Sequence, residues 1–314
     1  MFEIISLIVP FFAVIGCGYF GARLIPESQQ DGINNLVLYF ALPVLIFSLM
    51  AQSNIADQFE LAFVPAYTIV SIFLFCLAFW LVRALYGLHR GDRAIYALGA
   101  VYGNTGYMGI PVIVVLLGES ASVPVVISLM IDLIIIIPLA AAVIESSGRQ
   151  QGNLVHGAMA TLLATLRNPL VLASVLGVAW SMLELPIPAM MNGFMDLMGA
   201  AAVPCALFAM GASLHGKPLG GAVSPALLIS VLKLIIHPLL LWIMMTRIMD
   251  IDPDWARPAL LAASMPMAAT IYVLARQYQT RVVGASTAVL ISTGLSLLTF
   301  PTLMLMLDHL FAVP

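Results

Sequence analysis

Gly103-Asn104-Thr105-Gly106-Tyr107-Met108-Gly109-Ile110-Pro111 lies inside an otherwise apolar run, residues 94–117. Three glycines, an asparagine and a proline within nine residues are poor helix material. Pro111 also lacks the amide that would bond to the carbonyl four residues back. The flanking text is apolar and helical, so the segment reads as a membrane-crossing helix interrupted near mid-depth. Such a break leaves backbone groups unpaired. Hydrocarbon does not tolerate them; surrounding protein or a wet cavity does.

The rest of the chain supplies the membrane. Of 314 residues, 62% are hydrophobic and 9% charged, and mean hydropathy is +1.08. Soluble domains carry about 25% charged residues, so no soluble surface can be built from this sequence. A crossing helix needs about 20 mostly apolar residues. Ten stretches qualify: 4–23, 33–52, 61–82, 94–117, 122–144, 168–184, 189–213, 221–246, 257–276 and 283–307. They are continuously apolar rather than alternating, which excludes a β-barrel. The expected class is an all-α polytopic membrane protein with ten transmembrane helices. Met1, Phe2 and Glu3 lead straight into apolar sequence without a positive region, so no cleaved signal peptide is expected.

Charge orients the spans. Nine Lys and Arg residues belong to the odd loops: Arg23, Arg83, Arg90, Arg93, Arg149, Arg167, Lys217, Arg276 and Arg281. Arg247 and Arg257 belong to the even loops, and Lys233 lies within the eighth span. The positive-inside bias places the odd loops in the cytoplasm and both termini outside. The longest connection, 146–167, follows the fifth span. It separates a first half, 1–145, from a second, 168–314. Five spans per half is an odd number, so the halves must be oppositely oriented.

Prolines support that symmetry. Pro10 and Pro169, Pro43 and Pro204, and Pro138 and Pro301 are 159, 161 and 163 residues apart, each pair in corresponding spans. Leu42-Pro43-Val44-Leu45-Ile46-Phe47 also resembles Val203-Pro204-Cys205-Ala206-Leu207-Phe208. At a similar offset the fourth-span break faces Ser264-Met265-Pro266-Met267-Ala268-Ala269-Thr270 in the ninth. Two inverted five-helix repeats with broken, crossing helices 4 and 9 are therefore expected. Inverted repeats are the common plan of secondary transporters, with the substrate site at the repeat interface. Half-helix N-termini carry free amides and partial positive charge, and bind carboxylates without a cationic side chain. A glycine-rich packing surface is the simpler structural alternative.

These residues resemble the auxin efflux carrier family, which includes plant PIN-type auxin exporters and bacterial malonate and malate permeases. The resemblance rests on Asn104-Thr105-x-x-Met108-Gly109-Ile110-Pro111 in the fourth span. It extends through Asn35-Leu36 to Leu42-Pro43, Arg167-Asn168-Pro169, Met265-Pro266 and Leu274-Ala275-Arg276-Gln277-Tyr278, and covers essentially the whole chain. It implies ten helices in two inverted repeats, scaffold and transporter domains, and elevator-like alternating access. It also implies that Asn104 holds a substrate carboxylate. A second substrate-contacting Asn of the plant exporters falls at Leu170 here, and their large cytoplasmic loop is missing. Both departures fit a bacterial-type carrier of small organic acid anions.

The expected substrate-binding residues are Asn104, Thr105, Gly106, Pro111, Asn168, Pro266 and Thr270, with Pro43 and Pro204 as hinges. Intramembrane ionisable groups are functional candidates by default. Asp132 lies near the middle of the fifth span and is a candidate proton carrier, or else a protonated structural Asp. Lys233 and His237 share a face of the eighth span at i, i+4. Lys233 is a candidate partner for a substrate carboxylate or for Asp132, against snorkelling to an interface. His237 precedes Pro238, and capping of backbone freed by that proline is the competing role. Asp196 reads as an N-terminal helix charge, and residues 154–166 as a mildly amphipathic surface segment.

The expected function is a permease for a small organic acid anion such as malonate or malate, coupled to H+ or Na+ or driven by exchange. An auxin-like monocarboxylate is the alternative, and a homodimer in the bilayer is the expected assembly. Two other classes compete. Gly284-Ala285-Ser286-Thr287, Gly211-Ala212-Ser213 and His237 weakly suggest an intramembrane hydrolase, but leave the repeat unexplained. For an ion channel the sequence suggests no ring of filter carbonyls, and the paired mid-membrane breaks fit a carrier better. No Walker A sequence is present, which excludes a pump within this chain. Net charge is −3 with no basic arm, so nucleic acid is not a partner. Cys17, Cys76 and Cys205 form no ligand cluster, and neither metal nor cofactor is expected.

Overall fold

A computed structural model describes residues 2–55, 59–147, 154–217, 220 and 223–311. Residues 148–153, which include Arg149 and most of the polar part of the linker, lie outside the described residues. The regular structure described is helical. In chain order the helices are α1 (Phe2–Gly21), α2 (Gln29–Ala51), α3 (Phe63–Tyr86), α4 (Arg90–Val101) and α5 (Ile110–Leu117). The next four are α6 (Glu119–Glu145), α7 (Leu154–Leu166), α8 (Pro169–Met182) and α9 (Ala189–Leu214). The last four are α10 (Val223–Ile248), α11 (Pro253–Ala263), α12 (Thr270–Gln277) and α13 (Val282–Phe311).

Among the described residues, six helices are long and apolar enough to cross a bilayer: α2, α3, α6, α9, α10 and α13. Residues Met159–Leu166 and Pro169–Met182 pass the same test as one pair bent by 62°, which makes seven. The ten stretches read from the sequence exceed this number for a physical reason. The described apolar part of α1 is only Ile8–Gly21. The stretches 94–117 and 257–276 are each split into two short helices. None of these pieces alone reaches the length a crossing requires.

Prolines shape the long helices in two ways. Wide, π-type turns at Val37–Ala41, Thr105–Gly109, Asp132–Ile136 and Leu232–Ile236 each end two residues before a proline: Pro43, Pro111, Pro138 and Pro238. A proline offers no amide and its ring crowds the carbonyl four residues back. Widening the preceding turn by one residue relieves that crowding. Pro10, Pro204 and Pro301 instead lie inside α-helices with no such turn. The expected hinge pair therefore differs locally: Pro43 follows a widened turn, whereas Pro204 is carried within an uninterrupted helix. Pro111 is likewise not the point of interruption. The fourth span stops at Val101, resumes in the widened turn Thr105–Gly109, and continues directly into α5, where that turn accommodates Pro111.

Glycines set the closest helix approaches. A Cβ on Gly211 of α9 would strike the backbone of Ile15 in α1, and one on Gly18 would strike the backbone of Phe208. Association in lipid relies on close van der Waals packing, which small residues permit. α1 thus packs along α9, and the Leu42–Ala51 end of α2 packs along α8. α7 packs against the Ile137–Glu145 end of α6, so the second part of the linker is a helix joined to the body of the protein.

Candidate functional site

The two broken spans meet at their interruptions. The Asn104 amide donates to the Pro266 carbonyl at 2.7 Å, and the Ala268 amide donates to the Tyr102 carbonyl at 3.3 Å. Gly103 and Met267 thereby form a single antiparallel bridge, and the Met267 amide donates to Ser292 Oγ at 3.1 Å. Each break supplies backbone partners the other lacks. Met265, Pro266 and Met267 are buried, as are Asn104 and Thr105.

The ends of the half-helices have different fates. The C-terminal carbonyls of Val101 and Ala263 both accept from Lys233 Nζ, at 2.7 and 2.8 Å. The second halves restart beside a cavity of about 440 Å³. The Asn104 carbonyl accepts from the Met108 and Gly109 amides at 3.0 and 3.1 Å, which begins the turn into α5. Asn104, Gly106 and Thr270, at the starts of the two second halves, line this cavity.

Four of the expected substrate-binding residues share the cavity wall: Asn104, Gly106, Asn168 and Thr270. Asn168 also caps α8, its Oδ1 accepting from the Leu170 amide at 2.9 Å. Thr105, Pro111 and Pro266 do not line the cavity. Thr105 is turned into the protein with its hydroxyl unpartnered among the described residues, and its Cγ2 packs near Gly109. Pro266 acts through its backbone carbonyl. Leu170 stands in the wall with Leu38, Leu129, Leu133 and Ile137. Among the lining residues there is no Lys or Arg, and Glu145 is the one carboxylate.

Several lining residues were not among those picked from the sequence. Tyr102 immediately precedes the glycine-rich motif and Tyr107 lies within it, and that placement is a usable signal. Thr161 and Thr165, four apart on α7, also line the cavity; their stretch reads as an unremarked surface segment when met alone. At one edge Tyr278 Oη donates to Glu145 Oε1 at 3.1 Å. These two residues also border a second, polar cavity lined by His89, Arg90, Asp92 and Thr280, in which Thr280 Oγ1 donates to Asp92 Oδ1 at 2.6 Å.

The ionisable candidates form a separate cluster. Asp132, Lys233 and His237 are each fully buried, and none lines the cavity. Tyr67 Oη donates to Asp132 Oδ2 at 3.4 Å, and the Tyr67 ring meets His237 edge-on at 5.9 Å. Lys233 Nζ lies 3.1 Å from His237 Nδ1. Asp132 Oδ1 and His237 Nε2 are buried without a partner among the described residues. Lys233 does not snorkel: its Nζ turns to the half-helix ends. Asp196 is exposed. No cluster of metal-binding side chains occurs among the described residues.

Bundled apolar helices define a polytopic membrane protein, in which a backbone-paired double break adjoins a cavity. The comparisons with known proteins agree. The family model described as "Membrane transport protein" matches residues 3–304. The chain is 31% identical over 301 residues to the "Putative malonate transporter" of Rhizobium meliloti (strain 1021), covering 95% of this chain and 94% of that protein. It is 25% identical to "Uncharacterized transporter YfdV" of Escherichia coli (strain K12), covering 90% and 91%. It is 24% identical to "Auxin efflux carrier component 5" of Arabidopsis thaliana, covering 95% and 94%. The chain belongs to the membrane transport protein family, that of the auxin efflux carriers, and is an integral membrane transporter rather than an enzyme.

Proposed function

We propose that this transporter carries a small organic acid anion, malonate or a close dicarboxylate, through the cavity beside the crossing. The observation that carries the reading is the composition of the cavity wall. Asn104, Asn168, Thr270, Tyr102 and Tyr107 are neutral hydrogen-bonding side chains, gathered where two half-helices restart. The first amides of a helix lack internal partners, and the macrodipole adds partial positive charge there. A carboxylate is recognised by such a wall without a cation. The relative named for malonate supports the choice of substrate class.

Ten spans in two inverted repeats complete the reading, with residues 1–145 and 168–314 as the halves. The reciprocal packing of α1 on α9 and α2 on α8 supports it, as does the paired break. Elevator-like movement, hinging near Pro43 and Pro204, would carry the cavity between the two sides of a bacterial inner membrane. Both termini lie outside in this arrangement, and a homodimer is its natural assembly. Asp132 carries a coupling proton.

A second reading rests on the apolar side of the same wall. Leu38, Leu129, Leu133, Ile137 and Leu170 suit the body of a larger, aromatic monocarboxylate. Counterflow in proteoliposomes separates the two. Labelled malonate inside the vesicles should exchange against external malonate or malate and not against indole-3-acetate. Counterflow of labelled indole-3-acetate, with none of labelled malonate, would select the second reading. No exchange with any acid would reject both.

A further inference from the structure

The transport reading leaves unexplained why a lysine is buried at the crossing yet faces away from the cavity. Lys233 sits in the widened turn Leu232–Ile236 of α10. Its ammonium lies 2.7 Å from the Val101 carbonyl, 2.8 Å from the Ala263 carbonyl and 3.1 Å from His237 Nδ1. Val101 ends α4 and Ala263 ends α11. Two carbonyl acceptors and one imidazole nitrogen surround a group with three donors. Gly103 leaves room for the contact, since a Cβ there would stand 3.0 Å from Nζ.

A helix C-terminus carries about half a negative charge and carbonyls without internal partners. Two such ends converge here, in the interior of a membrane protein, so a positive charge is required between them. In carriers with discontinuous spans, unwound carbonyls and half-helix C-termini are the groups that coordinate a coupling Na+. In this chain the same kind of groups are already taken by a side chain. Asp132 is the other buried charged residue among the described residues, and its hydrogen-bond partner is Tyr67 rather than Lys233.

We propose that Lys233 is a built-in cation that joins the C-terminal ends of the two broken spans, in the position an alkali ion would otherwise need. Lys233 is a positioning residue: it fixes the crossing that presents Asn104 and Thr270 to the cavity, without touching substrate. Transport is then independent of Na+, and removing the ammonium creates a cation requirement that the native chain lacks. The inference builds on the transporter reading but is tested without knowledge of the substrate.

The test compares wild type with Lys233→Ala and Lys233→Met in choline, Na+, Li+ and methylammonium chloride at equal ionic strength. Thermal unfolding of purified protein is one readout, and malonate counterflow the other. Wild type should melt at one temperature and exchange at one rate in all four salts. Lys233→Ala in choline should melt lower and exchange at least about tenfold slower, having lost hydrogen bonds from a charged donor. Na+, Li+ or methylammonium should raise both quantities in Lys233→Ala. Lys233→Met, whose stem fills the space, should recover less. Wild-type melting or exchange that depends on Na+ would overturn the proposal. So would a Lys233→Ala protein that matches wild type in choline, or one that no cation improves. If neither variant folds, the wild-type salt comparison decides. If malonate is not carried, the melting temperatures still decide, so failure of the substrate reading is seen separately.

Discussion

The amide of Asn104 donates to the carbonyl of Pro266 at 2.7 Å, which links the centres of two interrupted spans 162 positions apart in the chain. A broken helix in lipid is costly because its freed amides and carbonyls have no water to bond. Here each break supplies partners for the other, and Lys233 takes the remaining C-terminal carbonyls. The crossing is therefore held by backbone bonds between the two breaks and by Lys233. The side chain of Asn104 has no partner among the described residues and stays available to the cavity.

Packing of α1 on α9 should be sensitive to single methyl groups. Gly18→Ala and Gly211→Ala each place a Cβ against main chain of the opposite helix. Each should cost about 1–3 kcal/mol, the usual range for overpacking. The double variant should cost less than the sum, because the first substitution already separates the helices. Reversible unfolding in mixed micelles measures all three. Additive losses would show that the two contacts are independent.

Asn168 has two tasks that substitution can separate. Its Oδ1 caps α8 through the Leu170 amide, and its side chain lines the cavity. Asn168→Ala should lower stability by about 1 kcal/mol, as loss of a cap does, and slow transport as well. Asn168→Asp keeps the cap but adds a negative charge to the wall. It should retain wild-type stability while losing anion transport. Equal transport by Asn168→Asp and wild type would remove Asn168 from the binding surface.

Tyr67 and Asp132 should separate stability from coupling. Tyr67→Phe removes the hydroxyl that reaches Asp132 at 3.4 Å and leaves the carboxyl without a side-chain donor in a fully buried place. A cost of about 1–3 kcal/mol is expected. Asp132→Asn preserves shape but cannot release a proton. Uptake driven by a pH gradient should fall to the level seen without a gradient, while malonate exchange continues. Gradient stimulation that survives in Asp132→Asn would show that the proton travels elsewhere.

The fourth-span break was legible because glycine, asparagine and proline inside an apolar run have few other uses. Its exact place was not. Pro111 drew attention as the breaker, whereas the chain leaves the helix at Val101 and absorbs the proline in a widened turn before α5. Widened turns before Pro43, Pro138 and Pro238 were missed for the same reason: hydropathy carries no record of turn width. Asn104, Gly106, Asn168 and Thr270, which line the cavity, could be picked out because polar and glycine residues stand out against an apolar background. Thr161 and Thr165 were missed because their helix looks like a surface segment until α6 packs beside it. Lys233 stands out in the sequence as a charge inside a span, but two of its partners are backbone carbonyls, and main-chain acceptors have no sequence signature.

The most direct test of anion binding at the crossing is the transport current of Asn104→Ala beside wild type, in reconstituted vesicles on a solid-supported membrane after a malonate jump. Asn104 makes its structural bonds through backbone atoms, so the variant should fold and melt like wild type. Wild type should give a saturable current, and the variant a current reduced at least about tenfold, the loss expected when one hydrogen bond to a charged group is removed. A variant current equal to wild type, from protein of normal stability, would contradict binding of the anion at the crossing.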